Sequence, residues 1–84
     1  MAGGYTAYRK VTDEDLQVFN AAELPIGVEY TPKEVATQVV NGTNYRFKCT
    51  KKVVAPGAKE EDAIVVIYKP LQGNPELKEI IPAN

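Results

Sequence analysis

Gln38-Val39-Val40-Asn41-Gly42 decides how this chain folds. An Asn-Gly pair stands between two runs that read as strands, Val35–Val40 before it and Thr43–Val54 after it. Both residues tolerate the positive φ of a tight turn, and Asn-Gly between apolar runs is the strongest short-range hairpin signal. Downstream, Tyr45, Phe47, Cys49 and Val53 share one parity, while Asn44, Arg46, Lys48, Thr50 and Lys52 share the other. Such alternation makes a strand with one buried and one wet face. A strict two-residue turn at Asn41-Gly42 would pair Val40 with Thr43. It would then place Val35 and Val39 on the face of Arg46 and Lys48, a mismatch that calls for a wider loop or a bulge. Val39 and Val40 gain nothing from exposure at a loop tip, so a partner is expected to cover them.

The flanking segments extend this hairpin into a domain. Tyr5–Val11 mixes tyrosines with charges and suits an edge strand. Thr12-Asp13-Glu14-Asp15 reads as a helix start, with a capping threonine and acids at the positive end of the helix dipole. Leu16, Phe19 and Ala22 then recur at helical spacing as an apolar stripe facing a sheet, and Pro25 and Gly27 close a helix of about three turns. Val28–Val40 is extended, with Thr31-Pro32 marking an edge or a bulge because proline cannot donate to a ladder. Ala55–Glu61 holds Pro56-Gly57 and a charged run, a solvated connection. Ala63–Tyr68 is apolar at both parities, which places it inside the sheet or covers its second face. Pro70–Pro75 is turn chemistry, and Leu77–Ile81 closes the sheet. The expected architecture is α+β, one helix packed on an antiparallel sheet of about four to five strands, in a single domain over residues 1–84.

Composition narrows the function classes. The 84 residues are 44% hydrophobic and 25% charged, which suits a small soluble domain. A net charge of −1 leaves no electrostatic footprint for nucleic acid or an anionic membrane. No run approaches the ~20 apolar residues of a membrane span. Met1–Lys10 lacks the basic-then-apolar order of a secretory leader, and the single Cys49 makes no internal disulfide, so a cytoplasmic location is expected, with secretion after removal of a leader as the alternative. The chain has no histidine, which excludes Ser-His and Cys-His catalytic pairs and removes the commonest nitrogen ligand of zinc. Cys49 lies on the apolar parity of its strand and reads as a core residue. Glu60, Glu61 and Asp62 read as a solvated charge run. Asn41-Gly42-Thr43 matches a glycosylation sequon. No enzymatic activity, metal or cofactor is expected.

Gln38-Val39-Val40-Asn41-Gly42-Thr43-Asn44-Tyr45 resembles the Gln-Val-Val-Ala-Gly motif of the cystatins, in the stefin-like form that continues Thr-Asn-Tyr. Gly3-Gly4 near the N-terminus and Pro70-Leu71-Gln72-Gly73 downstream lie in the order that family requires, so the resemblance spans nearly the whole chain. It implies a cystatin-like fold, a curled antiparallel sheet around one helix. It also implies reversible, tight inhibition of papain-like cysteine proteases of the cathepsin type, by a wedge of three segments. Gly3 matches the family's N-terminal glycine by its spacing to Thr12, Ala2 would point into the protease's S2 pocket, and Gly4 adds hinge freedom. Gln38, Val39, Val40, Asn41 and Gly42 match the first hairpin of the wedge, and Pro70, Leu71, Gln72 and Gly73 match the second. Gly42 is expected to lack a Cβ for both its neighbour in the turn and the approaching protease backbone, so a charged side chain there should damage binding and leave folding alone. The departures are Asn41 in place of alanine, Gln72 in place of proline, and a segment between Thr12 and Gln38 shorter than in typical stefins. The alternative is a non-inhibitory binding or structural module on the same fold. A monomer is expected, and opening of the hairpin would join its two strands into one shared by a domain-swapped dimer.

Overall fold

A computed structural model describes residues 3–83 of the chain. Its elements in order are β1 (Arg9–Lys10), α1 (Asp13–Ala21), β2 (Val28–Val40), β3 (Gly42–Val53), β4 (Glu61–Lys69) and β5 (Glu76–Pro82). The five strands form one antiparallel sheet in the order β1-β2-β3-β4-β5, so every neighbour in space is a neighbour in sequence among the strands.

Local chemistry sets the start of α1. Thr12 is the N-cap, its hydroxyl accepting from the Asp15 N–H at 3.3 Å, and Asp15 Oδ2 accepts from the Thr12 N–H at 2.9 Å. This reciprocal pair satisfies two of the helix's free N–H groups. Asp15 also takes a forked ion pair from Arg9 of β1, with Nη1–Oδ2 2.6 Å and Nη2–Oδ1 3.2 Å. Burial pushes the Asp15 carboxyl up, but hydrogen bonds from Arg9 and Thr12 outweigh it and hold the pKa below the usual carboxylate value. Arg9 therefore ties the shortest strand to the helix start. The helix is nine residues, shorter than expected, and ends at the extended cap residue Ala22 (φ −77°, ψ 142°) before Pro25 is reached.

The core lies between α1 and one face of the sheet. Phe19 and Ala22 meet Val35, Phe47, Cys49, Val65 and Ile67, and the Phe19 and Phe47 rings meet edge to face at 5.0 Å. Tyr45 stacks on Phe47 at 5.7 Å. The expected stripe needs one correction, because Val18 rather than Leu16 packs against this cluster. At 3.6 residues per turn, Asp15, Val18, Phe19 and Ala22 fall within one arc, while Leu16 sits roughly 100° from its centre. Arg9 compensates the carboxylate that this rotation buries. Cys49 is buried as expected, its thiol pushed up to about 12 by desolvation, so it is inert packing rather than a nucleophile.

The sheet resolves the register conflict twice. Asn41 alone lies between the last ladder partners Val40 and Gly42, so Val35 falls opposite Phe47 and Val39 opposite Thr43. The one-residue shift returns Val35 to the buried face. A bulge at Lys33 then separates Pro32 (opposite Cys49) from Glu34 (opposite Lys48) and keeps Tyr30 on the core side. Pro32 sits inside a long strand, at a level where β1 has already ended opposite Glu34 and β2 has a free outer side. β4 is internal between β3 and β5, as its apolar sequence suggested, but only Ala63, Val65 and Ile67 on one face are buried, while Ile64, Val66 and Tyr68 on the other face stay half-exposed. No helix among the described residues is long and apolar enough to cross a membrane.

Candidate functional site

Antiparallel order brings two turns to one end of the sheet. Thr43 at the start of β3 lies opposite Lys69 at the end of β4, so the 40–42 turn and the 70–75 loop are neighbours. The N-terminal segment joins them along the outer side of β2. The Thr6 N–H donates to the Thr37 carbonyl at 2.8 Å, and Thr6 Oγ1 accepts from the Thr37 N–H at 3.0 Å. Beyond Thr6, Gln38 Nε2 donates to the Gly3 carbonyl at 2.7 Å. Gly3, Gly4, Gln38, Val39, Val40, Asn41, Gly42, Pro70, Leu71, Gln72 and Gly73 thus share one edge, whereas Ala2 lies outside the described residues.

The side chains at this edge divide into anchors and supports. Val39 and Leu71 are 72% and 75% exposed, one on each turn, and stand as bare apolar groups. Val40 is half-buried and contributes less free surface. Asn41, Gln72 and Gly73 are exposed. None of the residues 38–42 or 70–74 carries a charge, and the neighbouring Lys69 ammonium turns to the Pro70 carbonyl at 2.9 Å. A partner docking on such an uncharged rim with two apolar groups would be held by shape and desolvation rather than by ion pairing.

Gly42 requires a second correction. It is buried, with φ +107°, and a Cβ there would lie 2.5 Å from the Lys69 carbonyl oxygen and 2.9 Å from the Tyr68 hydroxyl. Its missing side chain serves close packing of the hairpin tip on β4, so a side chain there would disturb folding as well as any contact, contrary to the expectation that folding would be left alone. The Tyr68 hydroxyl donates to the Asn41 carbonyl and completes this seam between the two turns. Gly73 (φ +122°) performs the ordinary turn role in the second loop, where a Cβ would meet Pro70 at 3.3 Å.

Three supporting residues carry no local sequence signal of this role. Tyr68 and Lys69 reach Gly42 and Asn41 only because β3 and β4 pair in this register. Asn44 donates through Nδ2 to Gln38 Oε1 at 2.9 Å, so the Gln38 amide is engaged on both sides within the chain. Among the described residues, no group of three or more His, Cys, Asp or Glu side chains is arranged to hold a metal ion. Compared with models of known families, with curated proteins and with solved structures, the chain matches none.

Proposed function

We propose that this chain is a reversible, tight-binding inhibitor of papain-like cysteine proteases, acting through the uncharged edge as a wedge. The observation that carries the reading is the convergence of the three segments on one sheet end, with Val39 and Leu71 exposed and the backbone beneath them tied down. That is the layout implied by the resemblance to the cystatins, whose fold this one would share. Inserted into an active-site cleft, the two anchors would exclude substrate by filling it. The hairpin tip is held by the Gly42–Lys69 packing and the Tyr68 hydroxyl, so docking costs little conformational entropy. A standard interface of about 800 Å² per partner would cover roughly a seventh of the 5630 Å² surface.

Titration of papain with the chain tests the reading. Stoichiometric, reversible loss of peptidase activity with the inhibitor recovered uncut is expected, and undiminished activity at micromolar chain would overturn it. A binding module without inhibitory action is the second reading. It is favoured by a separate exposed apolar group at the opposite end of the sheet, where Ile26 is fully exposed and Val54 is bonded to Gly27.

A further inference from the structure

We infer that Gln38 is a positioning residue, which with Asn44 locks the N-terminal arm onto the first hairpin; this rests on the wedge reading. The motif around Gln38 invites the view that its amide meets the partner directly. The geometry gives it a second task inside the molecule. Asn44 Nδ2 donates to Gln38 Oε1 at 2.9 Å, and Gln38 Nε2 donates to the Gly3 carbonyl at 2.7 Å. Both amide atoms therefore act inside the molecule, as a relay from β3 through β2 to the arm.

The relay stands where the backbone ties give out. The last ladder-like contact of the arm is Thr6 with Thr37. Toward the terminus, the Arg46 guanidinium lies over the Tyr5 ring at 5.3 Å, and the Gln38 bond then catches Gly3. Gly3 and Gly4 have no side chains of their own, and a Cβ at either would meet nothing within 4 Å. Two consecutive glycines without packing lose the most conformational entropy when they are ordered. This side-chain hydrogen bond to Gly3 thus sets how much of that ordering is complete before a protease arrives. Asn44 in turn fixes which way the Gln38 amide faces, since its donor can meet only the carbonyl oxygen of that amide.

The test measures the arm and the wedge separately. Backbone heteronuclear NOE on the full chain reports fast motion at Gly3 and Gly4 without any protease. Gln38→Ala and Asn44→Ala should both lower the NOE at Gly3 and Gly4 and leave Gly42 and Gly73 unchanged. Gln38→Glu keeps an acceptor for Asn44 but has no donor for the Gly3 carbonyl, so it should free the arm as fully as alanine does. Against papain, each variant should weaken inhibition roughly three- to tenfold, the effect of one neutral hydrogen bond. The Gln38→Ala/Asn44→Ala double variant should be no worse than Gln38→Ala alone, because the two act in series. Unchanged NOE in Gln38→Glu and Gln38→Ala would overturn the lock. A mobile arm with undiminished papain inhibition would overturn its part in binding. Failure of the unaltered chain to inhibit papain would instead overturn the wedge reading, with the NOE result still deciding the lock.

Discussion

Replacing Gly42 by alanine should unfold this protein far more readily than replacing any other positive-φ glycine that the chain leaves in open space. The comparison is Gly57, at φ +75° with nothing within 4 Å of a built Cβ, against Gly42, at φ +107° with the Lys69 carbonyl oxygen 2.5 Å away. Both variants carry the left-handed backbone penalty of about 1–2 kcal/mol. Both recover about 0.4–1 kcal/mol because alanine restricts the unfolded chain. Only Gly42→Ala adds a steric clash, and the atom it strikes belongs to the β4 backbone rather than to a side chain that can swing aside. Overpacking of that kind costs about 1–3 kcal/mol. Gly57→Ala should therefore lose about 1 kcal/mol and Gly42→Ala about 3 kcal/mol. Equilibrium urea unfolding measures both, and with a slope of about 1 kcal/mol/M for a chain this small the two midpoints should differ by about 2 M. Equal midpoints would refute the close packing of the hairpin tip on β4. The same result bears on function, since a charged residue at Gly42 would reduce inhibition by disordering the edge and could not isolate the contact itself.

The contact is isolated better at the anchors: Val39→Asp and Leu71→Asp should each weaken papain inhibition at least tenfold, about 1.4 kcal/mol or more, while the urea midpoint stays within error. Lys59→Glu, in the connection at the opposite end, should change neither measurement. Phe47→Ala should cost about 3–5 kcal/mol in urea unfolding, since the ring is fully buried between Phe19 and Tyr45. Leu16→Ala should cost much less, and equal losses at the two positions would contradict the orientation of α1. The Asp15 carboxyl has a lower pKa folded than unfolded, so the unfolded chain takes up the proton first as pH falls. Its stabilisation is complete above the unfolded value of about 3.9 and is lost as pH drops through the folded value. Asp15→Asn should lower stability at pH 7 by about 1–3 kcal/mol, the range for breaking a hydrogen-bonded charged group, moderated here by the half-exposed Arg9 partner. That variant should also flatten the acid limb of stability against pH, and an unchanged limb would contradict the Arg9–Asp15 tie.

The sequence by itself determined whatever depends on the backbone's own periods. Alternation at Tyr45, Phe47 and Cys49 marked the buried face of β3, Thr12 and Asp15 marked the helix start, and Asn41-Gly42 marked the turn. The candidate edge was legible in the same way, because an antiparallel chain of hairpins returns alternate turns to one end. Tertiary structure decided what depends on register. The parity of Val35 turned on a single residue at the 40–42 turn, and that of Tyr30 on the Lys33 bulge. Either placement satisfies the local pattern, and only burial of both strands against one helix selects between them. The rotation of α1, which turns Val18 inward and Leu16 aside, was likewise decided by packing on the sheet, with Arg9 compensating the Asp15 carboxylate that it buries. The burial of Gly42 against Lys69 and the reach of Gln38 to Gly3 join residues 27 and 35 positions apart. No local propensity encodes such distances, since the groups meet only after every strand between them has paired.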